Sequence, residues 1–259
     1  MANGVYTRYV ALGDSQTEGL WDGNDSDGVI GFADRLAAML DGLHPGLHYA
    51  NLAVRGRRIV DVLDDQLPRA LAMRPDLISV CVGMNDITRP GKSFGSALAE
   101  FDQLHDRLAQ SGATVVTTTF PDIGRIVPVG KFLTTRVLQT NEAIVSASKR
   151  YGFKLVDLYN APSMTQPKVW SDDRVHGSTH GHMLFAAAAA EALGLPGSSH
   201  EWAQADPAAA QQPALLSRTY SQLMWTKNMF APWLYNHVRG ISTGDGRKPK
   251  RPEMASLVG

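Results

Sequence analysis

Cysteine is nearly missing from this chain: Cys81 stands alone, which excludes an internal disulfide and any cysteine-rich zinc site. It lies in an apolar run, residues 77–82, and reads as a buried core thiol. Excess charge of either sign is missing as well. Lysine and arginine total 25 and aspartate and glutamate 25, so no global field draws the protein to nucleic acid or to an anionic membrane. Whatever it binds is recognised by local chemistry. No apolar run is long enough to span a bilayer, since even the alanine-rich stretch 185–195 is short and contains Glu191. The N-terminus runs into a strand pattern at once, without the basic segment, apolar stretch and cleavage site of a signal peptide. The expectation is a cytoplasmic chain with no transmembrane segment and no nucleic-acid partner. There is no internal repeat.

What is present is enough apolar material for a large core: 44% of 259 residues are hydrophobic, and at this size roughly three quarters of the unfolded surface leaves water. Short β-rich runs at 9–12, 49–53, 77–82, 114–119 and 154–157 alternate with segments of helical period at 32–43, 59–73, 94–109 and 133–151. That βαβα order predicts an α/β fold, a parallel sheet covered by helices on both faces, with catalytic loops at one edge. A last helix over 179–193 closes a main domain of residues 1–196. Residues 197–214, rich in Ser, Ala, Pro and Gln, read as linker-like. Residues 215–259 read as a C-terminal helical extension, over 215–239, followed by a tail carrying Arg247, Lys248, Lys250 and Arg251, expected to be mobile. The aromatic side chains of that extension, Trp225 among them, are expected to pack back on the domain.

Four segments carry chemistry. Residues 13–19, Gly-Asp-Ser-Gln-Thr-Glu-Gly, follow the first strand directly, where a tight turn exposes Ser15 at the mouth of the sheet. An Asp/Ser helix cap accounts for the same residues by ordinary hydrogen bonding. Asn51-Leu-Ala-Val-Arg-Gly56 and Gly83-Met-Asn-Asp86 follow the next two strands, so Gly56 can present a bare N–H and Asn85 an amide to one point. Singly these are a loop glycine and a turn asparagine. Their weight comes from position, because all three fall at the carboxyl ends of successive strands.

The fourth segment runs from Ser171 to His182 and holds Asp172, Asp173, His176, His180 and His182. A separation of three lets Asp173 hold one nitrogen of His176 while the other faces Ser15. Imidazole suits a proton shuttle because its ordinary pKa, about 6.5, lies near working pH. The three histidines also raise a metal site, which is set aside because no third ligand at recognisable spacing supports it. His180 and His182 fall in the start of a helix and read as structural, and Asp172 is the neighbour most easily confused with Asp173.

In this order the four segments resemble the signature blocks of the SGNH hydrolase superfamily, the GDSL esterases and lipases, over residues 6–195. The resemblance implies a flavodoxin-like three-layer α/β/α sandwich with a central five-stranded parallel sheet, and no cofactor. It places the catalytic residues at Ser15, Asp173 and His176, the oxyanion hole at Ser15, Gly56 and Asn85, and a structural role on Asp14. One departure is Gly177, where many members carry proline. The implied activity is hydrolysis of carboxylic esters, with short-chain acyl or acetyl esters as the starting expectation. The 120–132 loop and Trp170 offer an apolar acyl pocket, and residues 21–27 a polar rim for a sugar or glycerol alcohol, though both also read as surface loops. The partner is thus a small-molecule, lipid or carbohydrate ester. Two rivals stay open: an acyltransferase using the same serine, and a non-catalytic ligand-binding protein on the same fold.

Overall fold

The computed structural model describes residues 5–89, 94–207, 225, 227 and 244–257. In chain order the elements are β1 (Arg8–Gly13), α1 (Ser15–Glu18), a hairpin of β2 (Gly23–Asn24) and β3 (Gly28–Val29), α2 (Phe32–Leu43), β4 (His48–Asn51), α3 (Ile59–Asp61), α4 (Leu67–Ala72), β5 (Leu77–Cys81) and α5 (Met84–Thr88). There follow α6 (Phe94–Ala109), β6 (Thr114–Thr118), α7 (Ile123–Ile126), α8 (Thr134–Tyr151), β7 (Lys154–Val156), α9 (Thr179–Leu193) and β8 (Arg251–Ser256).

Strand order across the main sheet is β7-β6-β5-β1-β4-β8. The first five are parallel, and β8 joins β4 antiparallel. After β4 the chain crosses back past β1 and builds outward on its other side. Right-handed crossovers running in opposite directions put their helices on opposite faces, giving three layers: α2 packs with α9, while α3, α6 and α8 pack in series. Reversal of direction at β1 opens a crevice at the carboxyl ends of β1 and β5, where ligands bind in open α/β sheets. β5 is buried along its whole length, as a central strand of hydrophobic residues must be. Next to it Tyr9 and Tyr49 stack at 5.0 Å, and the buried Tyr9 hydroxyl is satisfied by Ser79 Oγ at 2.7 Å.

Among the described residues the sheet has six strands, one more than the expected five, and the sixth comes from the tail expected to be mobile. Its basic residues find acids and a ring on the domain: Arg247 pairs with Asp25 at 2.6 Å, Lys250 with Asp34 at 2.5 Å, and Arg251 lies over Tyr49. Pro252 is tolerated there because an edge strand leaves one row of donors unused. Within the linker-like stretch Trp202 and Ala203 are buried, and the Trp202 Nε1–H donates to Glu191 Oε2 at 2.5 Å. The helical reading of 215–239 lies outside the described residues apart from Trp225 and Lys227.

The single helix expected over 59–73 is interrupted by a π-helical stretch, Val62–Gln66, just ahead of Pro68. Proline cannot donate to the carbonyl four residues back, and the wider turn relieves that mismatch. The widening also delivers Gln66 to the sheet, where its buried amide accepts from Gly13 N–H at 2.8 Å and donates to Gly13 O at 2.9 Å.

Candidate active site

Ser15 is the first residue of α1, immediately beyond β1. The turn requires glycine before it: Gly13 has a φ of 147°, and a Cβ there would sit 2.2 Å from the carbonyl oxygen of Cys81. Asp14 caps α1, its side chain accepting from Gln16 N–H at 3.2 Å. Burial raises the Asp14 carboxyl to about 7 against that hydrogen bond, and burial with the nearby Asp14 pushes the Cys81 thiol to about 12. Cys81 is therefore protonated and inert at neutral pH.

Ser15 Oγ and His176 Nε2 are 2.6 Å apart, and His176 Nδ1 and Asp173 Oδ2 are 2.6 Å apart. A carboxylate only accepts, so the proton sits on Nδ1 and Nε2 receives the serine O–H. The loop between is folded on itself: Ser171 N–H donates to His176 O at 2.9 Å, and Arg174 takes a left-handed φ of 61° to make the turn. Asp173 Oδ1 accepts from Ser171 Oγ, Val175 N–H and His176 N–H at 2.7, 2.9 and 3.0 Å. Burial works to raise the Asp173 carboxyl, but the bonds and charge of His176 win and hold it well below the usual carboxylate range. Asp172 next to it is exposed.

The other histidines of the segment are differently employed. His182 is fully buried, its Nδ1 accepting from Phe32 N–H and its Nε2 donating to Leu20 O, both at 3.2 Å, and burial lowers it to about 4, so it is neutral. His180 is lowered by partial burial. No cluster of His, Cys, Asp or Glu able to hold a metal occurs among the described residues. Gly177, where the resemblance expects proline, donates its N–H to Gln16 Oε1 at 3.2 Å, a bond proline could not make.

Asn85 sits on α5 and its Nδ2 donates to Arg57 O at 2.9 Å and to Asp14 Oδ2 at 3.2 Å, which ties the loops after β1, β4 and β5 together. Gly56 stands at a left-handed φ of 78° in the turn after β4. That turn is clamped from both sides. Arg55 donates from its backbone to Glu18 Oε2 at 2.6 Å and from its guanidinium to Glu18 Oε1 at 2.7 Å, and Ile59 N–H reaches Asp86 Oδ2 at 3.1 Å. Ser15, Asn85, Asp173 and His176 all line one cavity of about 310 Å³, and Trp170 and the loop after β6 supply part of its wall.

Two contributors carried no sequence signal as site residues. Trp21, in the expected polar rim, donates its Nε1–H to Asp173 Oδ2 at 2.7 Å, and Trp225 donates its own to Asp173 O at 2.9 Å. They lie 152 and 52 residues away in the chain, beyond the reach of any local pattern.

A three-layer α/β/α sandwich with a serine at the exit of its first strand is the frame of the SGNH hydrolases. The model of the GDSL-like lipase/acylhydrolase family matches residues 11–184, more than half of the chain, and the protein belongs to that family. It is accordingly a hydrolase acting on esters. Among solved structures it is similar to LAE5, an alpha/beta hydrolase enzyme from the metagenome of Lake Arreo, Spain, at TM-score 0.61 and 22% identity over 73% of this chain and 95% of that one. It is also similar to Axe2, an acetylxylan esterase from Geobacillus stearothermophilus, at TM-score 0.61 and 18% identity over 77% of this chain and 97% of that one. At these identities the likeness is one of fold. No curated protein matches the sequence.

Proposed function

We propose that the protein hydrolyses carboxylic esters by acyl transfer through Ser15, with His176 as the base and Asp173 as the group that holds it. The observation that carries this reading is the unbroken relay from Ser15 Oγ to His176 Nε2 and from His176 Nδ1 to Asp173, 2.6 Å at each step. His176 takes the serine proton as Oγ attacks the carbonyl carbon, and returns it to the departing alcohol. Water then repeats the sequence on the acyl-enzyme. Charge collecting on the carbonyl oxygen is met by the N–H groups of Ser15 and Gly56 and the amide of Asn85. Asn85 commits one hydrogen to Arg57 O, and the other, more loosely held by Asp14 Oδ2, is the one offered to substrate.

A fluorophosphonate probe should label the wild type and not Ser15→Ala, and the variant should lose at least about four orders of magnitude in ester hydrolysis while melting like the wild type. Labelling that survives in Ser15→Ala removes the assignment. Acyl transfer to an added alcohol, outrunning hydrolysis, would identify the same serine as that of a transferase.

A further inference from the structure

We propose that the cavity beside Ser15 is an acyl-chain pocket selecting esters of about six to ten acyl carbons over acetyl esters. This rests on Ser15 being the attacking group and says what that group is built to attack. The cavity has a volume of about 310 Å³ and is lined by Ser15 and Asn85 together with Met84, Phe120, Ile126, Leu133, Leu158 and Phe185. With a methylene taken as about the size of a water molecule, roughly 30 Å³, ten fill it, whereas an acetyl methyl leaves almost all of it empty. A mostly apolar pocket of this size that holds a small number of polar groups is the pattern of a site for an apolar group carrying one reactive function.

Placement favours the acyl side of the ester. The wall starts beside Asn85, the residue offered to the carbonyl oxygen: Met84 precedes it in α5, and the Phe120 ring packs over Gly83. Cys81 and Thr118, at the carboxyl ends of β5 and β6, continue the lining on the sheet side with the thiol protonated. Among the described residues that line that course, none carries an ionised side chain to penalise a hydrocarbon. The acidic and imidazole side chains of the lining, Asp14, Asp173 and His176, belong to the end where bonds change.

The test is hydrolysis of p-nitrophenyl esters from acetate to dodecanoate, at concentrations below micelle formation, by wild type, Ser15→Ala and Ile126→Trp. Each methylene moved from water into the pocket should raise kcat/KM by about fourfold until the cavity is full, an upper limit set by the apolar transfer energy. The expected profile peaks between hexanoate and decanoate, at least tenfold above acetate. Ile126→Trp, on the partly exposed α7, should cut the octanoate-to-acetate ratio at least tenfold, and Leu133→Trp serves if that variant does not fold. A Ser15-dependent profile that is flat or falls from acetate onward overturns the pocket and leaves the nucleophile standing, as does a ratio unmoved by both fillings. A series of alkyl acetates that rises instead moves the chain to the alcohol side and also overturns it. Hydrolysis persisting in Ser15→Ala, or absent for every ester, overturns the underlying reading.

Discussion

Trp21 holds Asp173: its indole Nε1–H lies 2.7 Å from Oδ2, the same oxygen that accepts from His176. The position is bought with backbone strain, since Trp21 has a left-handed φ of 73°, a conformation that costs bulky residues of order 1–3 kcal/mol. The indole thus holds the carboxylate from outside the set of residues that line the cavity. Trp21→Phe keeps the ring and deletes the donor. We expect kcat to fall about tenfold, in keeping with one hydrogen bond to a charged group, with KM much less changed. The acid limb of the kcat/KM profile should move to higher pH, because a carboxylate relieved of one donor holds an imidazolium more tightly. An unaltered pH profile would reduce Trp21 to packing.

Asn85→Ala should lower kcat by about 10²–10³ with little change in KM, the loss seen when one oxyanion donor is removed. The same substitution strips Arg57 O of its 2.9 Å partner, at a cost of about 1 kcal/mol in stability. Urea unfolding separates the two effects. A variant that turns over like wild type would take Asn85 out of the hole.

Lys250 anchors the sixth strand. Its Nζ reaches Asp34 Oδ2 at 2.5 Å and the carbonyl oxygens of Glu18 at 2.5 Å, Val29 at 3.0 Å and Ile30. Burial outweighs pairing on both partners, lowering Lys250 and raising the Asp34 carboxyl to about 6, so the pair is no large gain over apolar packing. Breaking it is different. Lys250→Met leaves a half-buried carboxylate without its main partner and should lower the unfolding free energy by about 2–4 kcal/mol at pH 8, and by less at pH 5, where Asp34 takes up a proton. Asp34→Leu in the same chain should recover most of the loss. Equal losses at both pH values in urea titrations would show that Asp34 is not the group left stranded.

Asp14 predicts a pH dependence of stability with a definite sign. Burial raises its carboxyl from 3.8 to about 7, so between those values the folded chain keeps a proton that the unfolded chain has released. Its contribution is complete below about 4 and is lost as pH rises through 7. Asp34 and Asp86, each raised to about 6, act in the same direction, whereas the lowered Asp173 contributes above about 4 and loses its contribution as pH falls. Asp14→Asn should therefore flatten the fall in Tm between pH 5 and pH 8, gaining on the wild type at the alkaline end. Parallel Tm curves would show that Asp14 does not titrate in this range.

Much of this molecule can be read along the chain because its rules are local. Five parallel strands and their covering helices follow from apolar spacing, and the serine turn from a glycine that no side chain could replace. Asp173 and His176 are legible as a pair because the two residues of loop between them suffice to join them. By contrast, the π-helical turn at Val62–Gln66 escapes a periodicity argument, since Pro68 shifts the helix by one residue without changing which positions are apolar. The tail misled for a related reason: a basic, proline-containing segment is a free end until Asp25, Asp34 and an open strand edge stand opposite it.

By itself, then, the sequence determined the five parallel strands, the family and which residues fall at the strands' carboxyl ends, because backbone hydrogen bonding and hydrophobic period act over a few residues. Tertiary structure alone decided which indoles hold Asp173, how Gln66 and Glu18 brace the serine and glycine turns, and how much apolar room lies beside Ser15. Those are contacts between residues far apart in the chain, and their geometry exists only after the sheet has brought them within a few ångströms.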